Sequence, residues 1–388
     1  MLVHKEMMHE TDRPIRLPLN ENSTLFLLGD ESVVFSKKSR ELYGLDQMAT
    51  AILFRLEEGE TSVEIALDLG LPSAGALHVQ KLAELLMGDE YLTEEYPNEL
   101  SCPLEPPYLT TGSPCYQLLN TCFVVEGPDE VIQKWITPYI STLLMSEDRD
   151  PDLQIAIESH DNKWQISMNR VAQGEPVIAE RLLPLIYAQL RIFAFQRQQR
   201  LLTMHGAVIT SQSGQTLVLS GRSGSGKSTL AATLLTRGFS LVSDEPAVID
   251  SDGCNVLAMP LGLGLKEGSW SVLQSDYPQL SHLPLHLRFD GQKICYLLPD
   301  SIPVAPTISS YPATHLIFPE YNPDATGKLK SLSIVQTLNQ FAEAGYHIPG
   351  LDEERVVGII NWLAGIKRYS LVYPSTEEAL LLLKETTQ

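Results

Sequence analysis

Two almost unbroken apolar runs, Thr24–Leu28 and Ser32–Phe35, stand either side of Gly29-Asp30 near the start of the chain. Short runs of Val, Leu and Phe around a Gly-Asp pair predict a β-hairpin. The spacing then turns helical. Met48, Ile52, Leu53 and Leu56 share one face of residues 45–58, and Gly59 ends that segment. A shorter helix is expected over 62–69. A third, over 74–86, repeats through Leu77, Leu82, Leu85 and Leu86. Two strands followed by three helices predict a small winged-helix-like unit over residues 1–95. Pro97, Pro103, Pro106, Pro107 and Pro114 then crowd into eighteen residues. Proline at that density favours extended chain, so 96–114 reads as a linker. A boundary with few crossing contacts predicts that residues 1–95 can be removed without unfolding the rest.

Strands and helices alternate beyond the linker, which predicts an α/β domain over 115–388. It begins with an accessory layer, 115–200, made of a strand at 118–125, a helix at 129–144 broken by Pro138, and a hairpin. The hairpin strands are 153–158 and 164–168, around Asp161-Asn162. A long helix over 179–200 carries an early Pro184, expected to interrupt it. Arg191, Arg197 and Arg200 on that helix could meet phosphate, but a solvated face is the simpler reading. Residues 201–388 form the expected core. Within it, Tyr296-Leu297-Leu298 and His315-Leu316-Ile317-Phe318 read as buried strands ended by proline. Helices are expected at 352–363 and at 375–383, the latter opened by a Ser375–Glu378 capping box.

Charge narrows the partners. Lys and Arg number 28 against 48 Asp and Glu, a net −20. A chain this acidic is poorly suited to nucleic acid and better suited to a basic peptide. The cysteines, Cys102, Cys115, Cys122, Cys254 and Cys295, are scattered with no C-x-x-C pair, so reduced thiols and a cytoplasmic location are expected. Met1–Arg16 alternates charge without an apolar centre, and no apolar run reaches membrane length. His282, His286 and His315 lack metal-ligand spacing and read as structural.

Chemistry concentrates between Leu217 and Glu245. The apolar run Leu217-Val218-Leu219-Ser220 leads into Gly221-Arg222-Ser223-Gly224-Ser225-Gly226-Lys227-Ser228-Thr229, which fits the P-loop pattern G-x-x-x-x-G-K-[ST]. Glycines let successive N–H groups converge on one phosphate chain, and the following helix adds its positive end. Lys227 would reach the β- and γ-phosphates of ATP, and Ser228 would bind Mg²⁺. Arg237-Gly238 ends the helix. The strand Phe239-Ser240-Leu241-Val242 then delivers Ser243-Asp244-Glu245, with Asp244 17 residues after Lys227. That spacing holds one short helix and one strand, and it points a carboxylate toward the γ-phosphate. Upstream, Met204-His205-Gly206 enters another apolar run, 22 residues before Lys227. Taken alone, His205 reads as a core or turn histidine.

His-Gly before a strand, then the P-loop, then Leu-Val-Ser-Asp-Glu after an Arg-Gly helix end: together these resemble the bacterial HPr kinase/phosphorylase family. They are closer still to its relatives found beside peptide-modification genes. The resemblance is clear over about residues 200–250. It implies phosphoryl transfer from ATP to a hydroxyl, with Asp244 as general base, Glu245 helping Ser228 to hold Mg²⁺, and His205 orienting Asp244 or stabilising the transferred group. Thr229 and Glu245 stand where many members carry Glu and a second Asp, which argues against the reverse phosphorolysis. Lys266 and Glu267 lie near where the family places substrate- and metal-contacting charges.

The first 95 residues resemble the PqqD family, the RiPP recognition element. The matching features are Leu42-Tyr43-Gly44-Leu45-Asp46, Ala49-x-x-Ile52-Leu53 and Leu56-Glu57-Glu58-Gly59-Glu60-Thr61-Ser62. That likeness implies a precursor-peptide leader added as a strand to the hairpin edge near Val33–Ser36. A DNA-binding winged helix is the rival, but the segment 74–86 carries one Lys and no Arg. The expected enzyme phosphorylates Ser or Thr on a ribosomally made peptide. Alternatives are a kinase of a free small molecule such as serine, or a regulatory P-loop ATPase. No nucleic-acid or membrane partner is expected, and a homo-oligomer is left open.

Overall fold

The computed structural model describes residues 14–57, 59–69, 79, 113–146, 149–298, 302–305 and 310–387. Most of the expected 74–86 helix and of the 96–114 linker lies outside them. Contacts group the chain into two units. One takes residues up to 97 together with 331–343 and 348–368, and the other takes most of the remainder.

In the first unit, strands β1 (Ile15–Asn20), β2 (Ser23–Leu28), β3 (Glu31–Ser36) and β4 (Glu41–Leu45) form one antiparallel sheet in the order β1-β2-β3-β4. The expected hairpin is its centre, β2 with β3, paired Leu25↔Val34 and Phe26↔Val33. Period-2 alternation splits the side chains between two faces. Leu25 and Val34 pack with Leu45 and with Leu53 of the helix Gln47–Glu57. Phe26, Val33 and Phe35 point the other way and are equally buried. On that second face Thr24 Oγ1 donates to Glu353 Oε1 at 2.7 Å, and Glu353 begins the helix Glu353–Gly365. Lys37 pairs with the same carboxylate at 3.0 Å, and so does Arg16. A Cβ on Gly44 would come 2.9 Å from Val335 Cγ1, in the helix Ile334–Ala344.

The first unit is therefore a four-stranded sheet with helices on both faces, and its second layer comes from the far end of the chain. Two expectations change. Val33–Ser36 is not an edge: β3 pairs with β4 on its other side, Ser32↔Leu45 through Ser36↔Glu41, so a leader cannot add there. Nor is residue 95 a clean cut. Deleting residues 1–95 would leave the helices Ile334–Ala344 and Glu353–Gly365 without the sheet they cover. The truncated protein is expected in the insoluble fraction, or soluble with raised binding of a hydrophobic dye. A soluble, cooperatively melting fragment would contradict this packing.

The second unit opens with β5 (Cys115–Leu118), β6 (Thr121–Glu126), β7 (Leu153–His160), β8 (Lys163–Met168) and β9 (Val171–Ala172), a sheet in that order. Pro138 breaks the expected 129–144 helix, which becomes Asp129–Trp135 and Thr137–Ile140. Pro184 does not interrupt Ala179–Arg197, whose buried face packs on this sheet. Cys115 and Cys122 are joined by a disulfide across the β5–β6 hairpin, Cα–Cα 6.6 Å, in place of two reduced thiols.

The chain continues through β10 (Arg200–Met204), β11 (Gly206–Ser211), β12 (Thr216–Ser220), β13 (Phe239–Asp244), β14 (Ala247–Asp250) and β15 (Asn255–Leu257). Then come β16 (Leu263–Lys266), β17 (His286–Leu287), β18 (Lys293–Leu297), β19 (Ser310–Pro312), β20 (His315–Tyr321), β21 (Lys328–Ser331), β22 (Tyr346–His347) and β23 (Lys367–Tyr373). The sheet that matters for the site has the order β13-β11-β12-β20-β23-β21. Strands β12 and β20 run parallel, whereas β11 runs antiparallel to both of its neighbours, β12 and β13. The carboxyl ends of β12, β13 and β20 thus meet the start of β11 at one edge. Ala207, Ile209, Leu217, Leu219 and Leu241 build the core under that edge with the buried helix Lys227–Leu235. Among the described residues no helix is long and apolar enough to cross a membrane.

Candidate active site

A cavity of about 570 Å³ opens along this edge. The P-loop forms one wall. Gly221, Gly224 and Gly226 all take positive φ, and Gly226 at +93° caps the helix. The Gly226 position has no room for a side chain, since a Cβ would strike the Tyr373 hydroxyl. Lys227 is buried and folds back over its own loop, donating from Nζ to Gly221 O at 2.7 Å and to Arg222 O at 2.9 Å. Burial lowers its pKa to about 8, against the pull of Glu245 and Asp244 and with the push of Lys266. An ammonium held by two carbonyls on a glycine cradle suits an incoming anion with three phosphates. Ser223, Gly224, Gly226, Lys227, Ser228 and Thr229 line the cavity. The buried Ser225 Oγ, within the P-loop, has no hydrogen-bond partner among the described residues. Arg222 is exposed and pairs with Glu320 at 3.5 Å.

Asp244 ends β13 opposite Ala207, and its side chain lines the same cavity. Gly264 N–H donates to its Oδ2 at 2.7 Å, and no group among the described residues donates to Oδ1. Burial, then the neighbouring Glu245 charge, raises its pKa to about 7; the Gly264 N–H, Arg191 and Lys227 only partly offset them. A carboxyl with one open oxygen and a pKa near neutrality has the properties of a general base.

Glu245 leaves the strand with φ +39°, and its side chain takes a different direction. His205 Nδ1 lies 2.8 Å from Glu245 Oε1, and Arg288 lies 3.5 Å from Oε2. Arg191 donates to the Glu245 backbone oxygen. Burial would raise this carboxyl, but the hydrogen bond and charge of His205, with Arg288 and Arg191, bring it down to about 2. These contacts bear on the expected roles of His205 and Glu245. His205 pairs with Glu245, and among the described residues it makes no hydrogen bond to Asp244; the two Glu245 oxygens lie against His205 and Arg288. Ser228 lines the same cavity as Asp244.

Sequence reasoning missed Arg288 and set Arg191 aside. Arg191 lies four residues after the buried Tyr187 and three before the buried Ala194. A cation inside an apolar stripe was the available signal. Arg197 instead pairs with Asp152 at 2.7 Å, and Arg200 donates to Phe195 O. Lys266 reaches Ser223 Oγ at 2.7 Å from the end of β16, whereas Glu267 only begins the next helix. His286 is fully buried beside the Tyr139 hydroxyl at 3.2 Å, with its pKa lowered by burial to about 4. His315 bonds Thr314 Oγ1 at 2.8 Å.

No family model matches the chain, and no curated protein matches it. Among solved structures it is similar to the Hpr(Ser) kinase/phosphatase from Coxiella burnetii, at 12% identity over 48% of this chain and 90% of that one, with a TM-score of 0.24. At that level the likeness decides neither fold nor activity.

Proposed function

We propose that the chain is a kinase that moves the γ-phosphoryl group of ATP to a hydroxyl. One observation carries this reading: the P-loop with Lys227 and a carboxyl tuned to about 7, Asp244, line one cavity. The P-loop N–H groups and Lys227 hold and orient the triphosphate. Mg²⁺, when bound, neutralises charge that builds on the phosphate oxygens. Asp244 takes the proton from the attacking hydroxyl. Lys266 adds a second cation beside Ser223. His205, Arg288 and Arg191 fix Glu245, so the position next to Asp244 stays ionised.

The acceptor we favour is a Ser or Thr side chain of a precursor peptide. The acidic surface, net −20, supports a basic peptide. A second reading, a small free hydroxyl compound, gains from the pairing of β3 on both sides, which removes the expected leader seat. The test is incubation with Mg²⁺ and γ-labelled ATP, with basic Ser/Thr peptides and with free serine. Label transferred to peptide supports the first reading, and label on serine the second. Release of inorganic phosphate alone, with every acceptor, would replace both with an ATPase.

A further inference from the structure

The cavity runs along several strands of the sheet, and its two ends differ. At one end stand Asp244 after β13 and His205 ahead of β11. The P-loop follows β12. At the other end are Tyr321, the last residue of β20, and Tyr373, the last residue of β23. The group that is transferred lies toward Asp244. The rest of the nucleotide must therefore leave the P-loop on the opposite side, over β20 and β23.

There the chain presents an aromatic ring to the open. Tyr321 is 51% exposed, unlike the buried Tyr373 whose ring lies 5.8 Å away. It is fixed from below. Its N–H donates to Ser225 O at 3.1 Å, and its Cβ would lie 3.3 Å from a Cβ on Gly226. The next residue, Asn322, donates its N–H to Tyr373 O at 3.0 Å. Backbone hydrogen bonds thus tie the strand end that carries the exposed ring to the P-loop. The core gains nothing from an exposed tyrosine at this point, whereas a flat base gains a stacking surface.

We propose that Tyr321 is the platform on which the base of the nucleoside triphosphate stacks, and so a donor-binding residue of this site. The proposal rests on the nucleotide reading above. Calorimetric titration of Mg-ATP and of Mg-tripolyphosphate into the full chain separates the two. Tyr321→Ala should weaken ATP roughly 5- to 100-fold, the range for losing one base–aromatic stack. Tripolyphosphate should change by less than about 2-fold, since it has no base to stack. Tyr321→Trp should keep ATP affinity, which guards against a folding artefact. Equal losses for both ligands in Tyr321→Ala, or no loss for ATP, would overturn the platform. So would wild-type protein that binds the two ligands alike, although the phosphate cradle would then stand. Wild-type protein that binds neither removes the nucleotide reading together with the platform.

Discussion

Lys227→Ala should abolish turnover and weaken ATP binding roughly 10- to 100-fold, the usual effect of losing a charge-assisted contact to phosphate. The ammonium is buried, so no solvent cation replaces it cheaply. In the free protein it also satisfies the carbonyls of Gly221 and Arg222. Alanine leaves both without that donor but also removes the burial cost that holds the Lys227 pKa down to about 8, so the two effects on stability oppose each other. Titration calorimetry and a label-transfer assay on one preparation check the weakened binding and the lost turnover. Normal turnover in this variant would end the P-loop assignment.

Asp244→Asn should lower the maximal rate roughly 10²- to 10⁴-fold, as for other general bases, with ATP affinity within a few-fold. The wild-type rate should fall as pH drops below about 7, because the protonated acid cannot accept a proton. The same substitution should stabilise the fold. Asp244 has a folded pKa raised from 3.8 to about 7, so its favourable contribution is complete below 3.8 and lost as pH rises through 7. Asparagine never ionises. Its advantage should grow between those values and level off above pH 7, at roughly 2–4 kcal/mol. Denaturant titrations at pH 5 and pH 8 read that difference. A variant that is inactive and also less stable at pH 8 would mean that Asp244 is a structural anchor.

The P-loop and Asp244 were legible because their chemistry is local. A glycine spacing, one lysine and one helix-plus-strand interval define them along the chain. The partner of His205 was not. Strand alternation can place Asp244, but it stops at Glu245, whose left-handed backbone turns the carboxylate toward His205 and Arg288. Arg288 comes from a segment with no pattern of its own. The hairpin was visible, but its flanking strands were not: β1 carries Pro18, and β4 is five residues long. One clue went unread. The runs Thr24–Leu28 and Ser32–Phe35 are apolar at nearly every position, and a strand with only one buried face would alternate. The continuous run already required a second covering layer. The sequence could not say that this layer comes from residues 331–368.

That layer sets an order of events during synthesis. Phe26, Val33 and Phe35 leave the ribosome early, and Glu353 follows more than 300 residues later. At about 5–20 residues per second the wait is roughly 15–60 s. Throughout most of that time the sheet face that Thr24 shares lacks the helices Ile334–Ala344 and Glu353–Gly365 that pack on it. A sheet made hundreds of residues before its covering helices should be among the last parts of this unit to lock. Protease added to ribosome-stalled chains should cut near residues 23–36 when the stall precedes residue 353, and spare them once the full chain is released. Protection of early-stalled chains would mean that the sheet closes without its distant helices.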